Sequence, residues 1–283
     1  MTILQAIQRG ADALRGMSSD ARRDAALLLR HIISRDRVWL LAHPETELTE
    51  QQRVAYEGLV TRRAAHEPIQ YILGEQEFYG LRFAVSPAVL IPRPETEHLV
   101  EAVLERLPQG QPARVVDVGT GSGAIAVALA HTRPELQITA LDTSPAALQI
   151  ARLNATSNGV ADRIRFAESD LLAAVEGEQF DSIVSNPPYV PDGDLLEPQV
   201  RDWEPHLALF AGVDGLDIYR RLVVQATKAL APGGLLAMEA GAGQQAALNT
   251  LLGDERTWSR SEWVPDLQGI PRVVVALRRA PGN

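Results

Sequence analysis

At 283 residues and 46% hydrophobic composition, the chain is long and apolar enough to bury a full core in one large or two modest domains. It has no cysteine, which excludes disulfides, thiolate catalysis and Cys-ligated zinc. The formal charge is −9: residues 1–80 carry 10 basic and 11 acidic side chains and the remainder 17 and 25, so neither part offers the basic face that phosphate binding uses.

No apolar run reaches the length of a membrane span. His31, His43, His66, His98, His131 and His206 have no paired spacing, so no metal site is expected. Near the N-terminus, Ile3, Leu4, Ile7 and Leu14 alternate with Gln5, Arg9 and Asp12. That pattern predicts an amphipathic helix, not the apolar core of a secretory signal, and hence a cytoplasmic protein.

The first 67 residues read as helices. One covers Asp20 to Ser34, with Ala21, Ala25, Leu28, Leu29 and Ile32 on one stripe. Another starts at the capping box Thr49-Glu50-Gln51-Gln52 and ends before Pro68. Residues 77–85 then predict a hairpin around Gly80, within a linker over 68–90. Residues 97–107 predict a helix with Leu99, Val100, Val103, Leu104 and Leu107 inward. From there strands and helices alternate: strands at 113–118, 137–141, 163–167, 180–185 and 235–239, and helices opening at Ala124, Pro145, Leu216 and Gln244. Alternation of this kind predicts a doubly wound, mostly parallel sheet. Two last strands, 259–264 and 272–277, flank Pro265 to Pro271 and close as an antiparallel pair.

Four strand ends carry chemistry. After the first comes Gly119-Thr120-Gly121-Ser122-Gly123, a strand–turn–helix junction where the backbone can approach a ligand. Gly119, Gly121 and Ala124 also fit a dinucleotide fingerprint. Asp117, two residues before the first glycine, argues against pyrophosphate and for a cationic ligand beside it. The second strand ends in Asp142, placed to accept from two ribose hydroxyls. After the third come Asp170, an acceptor for an adenine amino group, and Leu171, which packs on the ring. Each acid is also compatible with capping the following helix.

The fourth strand runs into Asn186-Pro187-Pro188-Tyr189 at the carboxyl edge of the sheet. Two prolines remove two donors and hold the preceding residues extended. The Asn186 side-chain oxygen and the Pro187 carbonyl then form a two-acceptor fork for a planar NH2 group, with Tyr189 flat against it. Taken alone, the same four residues equally make a strand-ending loop.

In these motifs the chain resembles the class I S-adenosylmethionine-dependent methyltransferases, and more narrowly the peptide-chain release factor glutamine methyltransferase family (PrmC/HemK). The resemblance runs nearly end to end. It rests on Leu90-Ile91-Pro92-Arg93-Pro94-Glu95-Thr96-Glu97, on residues 117–126, Asp142-Thr143-Ser144-Pro145, residues 184–189, Trp203-Glu204-Pro205 and Asp214-Gly215-Leu216. Glu95 stands where Asp is common and Ser122 where Thr is common, both conservative changes.

The resemblance implies a seven-stranded sheet with an antiparallel end at 91–283, and a helical domain at 1–67 that recognises a protein substrate. It implies S-adenosyl-L-methionine held by Asp117, Gly119, Thr120, Gly121, Ser122, Gly123, Asp142, Asp170, Leu171 and Asn186. Asn186, Pro187, Pro188 and Tyr189 would bind the substrate, with Asn186, Pro187 and Tyr189 catalytic. The substrate implied is the glutamine side chain in the Gly-Gly-Gln loop of release factors, methylated at N5 by a monomer that binds no nucleic acid. Arg93 to Glu97 would close over the cofactor, or simply start a helix. The rival reading is an amino methyltransferase acting on adenine or guanine in RNA or DNA; a second is a cofactor-binding scaffold without activity.

Overall fold

The computed structural model describes residues 1–280. These fall into two compact units, Met1–Glu75 with Leu196–Trp203, and Gln76–Leu195 with Glu204 onward.

The first unit is helical: α1 (Ile3–Ala13), α2 (Ala21–Ile33), α3 (Arg37–Ala42), α4 (Glu50–Ala64) and α5 (Ile69–Leu73). Asp20 caps α2 by accepting from Arg23 N–H, and Thr49 and Gln52 form the expected reciprocal box at α4. The apolar stripe read from 20–34 is inward, with Ala25, Leu28 and Leu29 fully buried beside Ile3, Leu14, Tyr56 and Val60. Two polar ties cross this core. The Tyr56 hydroxyl donates to the Ala6 carbonyl at 3.1 Å, and Arg63 pairs with buried Asp24 at 2.8 Å. Pro68 ends α4's trajectory but also opens α5, a short helix inside the segment expected as linker.

The second unit begins with the hairpin β1 (Glu75–Phe78) and β2 (Leu81–Ala84). Its turn is Tyr79-Gly80, both at positive φ, as a type I′ hairpin turn requires. Then come α6 (Glu97–Arg106), β3 (Ala113–Val118), α7 (Ala124–Thr132), β4 (Leu136–Asp142), α8 (Pro145–Ser157), β5 (Ile164–Glu168) and β6 (Phe180–Ser185). Beyond α9 (Pro198–Arg201), which belongs to the first unit, lie α10 (Asp217–Ala229), β7 (Leu230–Glu239), α11 (Gln245–Leu251), β8 (Trp258–Pro265) and β9 (Pro271–Arg278).

Seven strands form one sheet in the order β5-β4-β3-β6-β7-β9-β8. β5, β4, β3, β6 and β7 pair in parallel, while β9 runs antiparallel to both β7 and β8. This is the sheet expected from the alternation of elements. One strand is longer than expected, because β7 starts at Leu230, opposite Phe180, and its register then jumps to Leu235 opposite Ser182. The Pro232-Gly233-Gly234 segment is thus looped out of a strand and does not precede it.

Period-two alternation sends neighbouring β3 residues to opposite faces. Val115 joins a core with Leu99, Val103 and Ile125–Ala130, while Val116 and Val118 join another with Tyr219, Leu222 and Leu248. The sheet is therefore covered on both sides, α6, α7 and α8 on one and α10 and α11 on the other. Burial on both faces explains the near-continuous apolar strands. The parallel strands end together at Val118, Asp142, Glu168 and Ser185, and that carboxyl edge carries the site.

Candidate active site

The turn after β3 is tied to the end of β4. Gly119 and Thr120 N–H both donate to the Leu141 carbonyl at 2.8 Å, and Gly121 N–H donates to Asp142 Oδ2 at 2.8 Å. A Cβ built on Gly119 or Gly121 meets no protein atom within 4 Å, so these backbones border open space that a side chain would fill. Gly123 differs. It has φ of 80° and its added Cβ would lie 3.1 Å from Ala151 Cβ, so it is small to let α7 approach α8.

The open space is a cavity of about 450 Å³. Of the residues expected at the site, Gly119, Thr120, Gly121, Ser122, Asp142, Asp170, Leu171, Asn186 and Pro188 line it. Asp117, Gly123, Pro187 and Tyr189 do not. Arg93, Thr96, Ser144, Ile125, Leu207 and Arg221 also line it. Arg93 and Thr96 belong to a segment read from sequence as a closing strap, and Ile125 to the glycine-rich motif; Leu207 and Arg221 carried no local signal.

Asp142 accepts from Gly121 N–H through Oδ2 and from Ser144 N–H through Oδ1, at 2.8 and 2.9 Å. Burial raises its carboxyl above the usual carboxylate range against the pull of these amides. Each oxygen keeps a lone pair, and the residue faces the cavity, as two vicinal hydroxyls require. Leu171 sits at φ 52°, uncommon for leucine. The Ser169 hydroxyl holds the Leu171 carbonyl at 2.8 Å, which stabilises that backbone and leaves the side chain on the wall. Asp170 lies on the rim and pairs with Arg221 at 2.5 Å. A glycine cradle, a two-point acceptor and an apolar wall match ribose and base. The residues present therefore fit S-adenosyl-L-methionine.

Asp117 departs from its expected place. It is fully buried on the Val115 face of β3, with Oδ2 accepting from the Thr120 hydroxyl at 2.6 Å and the Ala126 N–H of α7 acting on the same carboxyl. Burial pushes its carboxyl up to about 7. The side chain stabilises the turn through Thr120 and does not line the cavity.

At the end of β6, Ser185 is tied to β3 through its hydroxyl, which donates to the Val118 carbonyl at 2.7 Å. Asn186 follows, half-buried, with Nδ2 donating to the Thr96 hydroxyl at 3.0 Å. No described residue donates to Asn186 Oδ1 or to the Pro187 carbonyl. Thr96 in turn donates to buried Glu239 at 2.6 Å. Tyr189 is held from behind: Gln244 Nε2 donates to its carbonyl, and a Cβ on Gly215 would fall 2.3 Å from that oxygen. Burial raises the Tyr189 phenol to about 12, so it stays protonated. Glu204 accepts from Ile91 N–H at 3.1 Å and from Arg93 at 2.5 Å, and so straps the segment that forms one wall. Asp214 pairs with Arg220 at 2.5 Å and does not line the cavity.

Among the described residues, no helix is long and apolar enough to cross a membrane. Two family models match: the PrmC N-terminal domain over residues 5–74 and the methyltransferase small domain over residues 96–200. Among solved structures, a methyltransferase from Pyrococcus furiosus is 19% identical, with a TM-score of 0.53 over 71% of this chain and 91% of that one. A T. Thermophilus 16S rRNA N2 methyltransferase, in complex with AdoMet and guanosine, is 22% identical with a TM-score of 0.54, covering 72% of this chain and 50% of that one. These two likenesses establish the fold. Curated relatives are much nearer. The release factor glutamine methyltransferase of Koribacter versatilis is 48% identical over 98% of this chain and 99% of its own length. That of Moorella thermoacetica is 43% identical over 99% of both. With identity at that level from end to end, the chain belongs to the release factor glutamine methyltransferase family.

Proposed function

We propose that the protein transfers a methyl group to the side-chain amide nitrogen, N5, of the glutamine in the Gly-Gly-Gln loop of peptide-chain release factors. The observation that carries this reading is the pair of unpartnered acceptors, Asn186 Oδ1 and the Pro187 carbonyl, beside a cavity that fits the methyl donor. Full-length relatives bearing the name support the substrate.

An amide nitrogen is a poor nucleophile because its lone pair is delocalised into the carbonyl. Asn186 Oδ1 and Pro187 O each accept one N–H of the incoming carboxamide. This turns the nitrogen lone pair toward the cavity and favours its partly pyramidal form in the transition state. When bound, S-adenosyl-L-methionine supplies an electrophilic sulfonium methyl and leaves as a neutral thioether. The alkylated nitrogen is a strong acid and loses its proton to water, so no general base is needed beside it. Tyr189, neutral and held from behind, shields the amide from water. Asp142 grips the ribose, the Gly119–Gly121 backbone leaves room for the donor, and Leu171 packs on the base. The helical unit recognises the release factor, and the enzyme works as a cytoplasmic monomer.

Mass spectrometry of a purified release factor incubated with labelled donor tests the reading. The expected result is a gain of one methyl mapped to the Gly-Gly-Gln glutamine. Label appearing in total RNA or DNA and absent from the release factor would overturn it.

A further inference from the structure

Thr96 stands at the N-terminus of α6, where a threonine ordinarily caps the helix with its hydroxyl. It makes no such bond. The hydroxyl is turned across the domain, donating to Glu239 Oε2 at 2.6 Å and accepting from Asn186 Nδ2 at 3.0 Å. Thr96 is 4% and Glu239 2% exposed, so the chain of bonds is shielded from competing water.

We propose that Thr96 and Glu239 are positioning residues that fix which end of the Asn186 amide faces the substrate. This rests on the methyltransferase reading above. A hydroxyl has one proton and two lone pairs, and an ionised carboxylate only accepts. While Glu239 is ionised, the Thr96 proton is therefore committed to it, and only lone pairs remain for Asn186. Asn186 must present its NH2 to Thr96, which leaves Oδ1 as the end available to an incoming N–H. A flipped Asn186 would offer a donor to the donors of a carboxamide, and the acceptor fork would be lost. Glu239 sits at the end of β7 and Thr96 on the wall segment. The orientation of one side chain is thus set by residues from two other elements, far from it in sequence.

The test uses the full chain, with Thr96→Val removing the hydroxyl at nearly constant shape and Thr96→Ala as a smaller alternative. In Thr96→Val we expect kcat to fall about tenfold or more, because the positioning of Asn186 in the transition state is lost. Thr96→Ser restores the hydroxyl and is expected to return kcat to within about threefold. A second readout needs no turnover: the Asn186 side-chain NH2 exchanges slowly with solvent in wild type and Thr96→Ser, and rapidly in Thr96→Val. Unchanged exchange, unchanged turnover in both hydroxyl-less variants, or a loss that serine does not rescue would overturn the proposal. If wild type methylates no release factor yet shows the Thr96-dependent exchange pattern, the substrate reading fails and the positioning chain stands.

Discussion

Gln244 spans the turn that carries Tyr189, its Nε2 donating to the Tyr189 carbonyl at 3.0 Å while its Oε1 accepts from Gly241 N–H at 2.9 Å. The same Nε2 lies 3.3 Å from the Gly215 carbonyl, so one amide joins three loop segments at the sheet edge.

Gln244 does not line the cavity, so Gln244→Ala should leave cofactor affinity within about twofold while loosening Tyr189. Turnover is expected to fall about tenfold, with a stability loss of about 1–3 kcal/mol from the buried groups left unpaired. Steady-state kinetics beside calorimetric titration of the cofactor would check this. An unaltered kcat would show that the placement of Tyr189 does not depend on this amide.

Asp142 and Asn186 should separate binding from chemistry. Asp142→Ala removes the two-point acceptor and is expected to weaken cofactor binding at least about tenfold, with smaller effects on turnover at saturation. Asn186→Ala should do the opposite, costing on the order of a hundredfold in kcat with little change in cofactor Kd. The same loss pattern in both variants would mean that one role has been misassigned.

Stability should fall as pH rises through neutrality. The folded-state carboxyl of Asp117 is near 7, well above its ordinary value of 3.8, because burial disfavours the charge. The folded chain therefore binds a proton that the unfolded chain has already released. Asp117 contributes fully below about pH 4, and that contribution is lost as pH climbs through about 7, on the order of 4 kcal/mol in all. Asp117→Asn cannot ionise and keeps an acceptor for Thr120. Urea unfolding between pH 5 and 8 should show a shallower decline in this variant, the remainder arising from Glu239 and Asp142. Parallel curves for the two proteins would contradict the assignment.

Turnover should rise with pH over the same range. Burial pushes Glu239 up to about 7, with the Thr96 hydrogen bond, Arg272 and Arg93 opposing and Glu95 adding; the phenols of Tyr189 and Tyr219 also face it. Below that value Glu239 carries its own proton and can donate to Thr96, which frees the Thr96 proton and releases the constraint on Asn186. We expect kcat to increase between pH 6 and 8 with a midpoint near 7, and Glu239→Gln to flatten that limb. A limb that survives Glu239→Gln belongs to another group.

Local signals account for most of what could be read from residues alone. Strands at 113–118 and 180–185 were legible as short apolar runs with turn residues after them. The Thr49 box and the Asp20 cap announce their own helices. Gly119, Gly121 and Asp142, which line one cavity, were legible as a group because glycine turns and strand-end acids act within a few residues of themselves. Folding decided the rest, since it depended on partners far away in the chain. Asp117 looked like a ligand contact from its position before the glycines, yet its carboxyl is fully buried and takes the Thr120 hydroxyl. Thr96 looked like a helix start, but its hydroxyl meets Asn186, 90 residues on, and Glu239, 143 residues on. Sequence patterning determined the layers and the edge where chemistry occurs, because apolar period and turn preference are properties of neighbouring residues. Which oxygens stay free at that edge was settled only in three dimensions, where each hydrogen-bond donor can be used once.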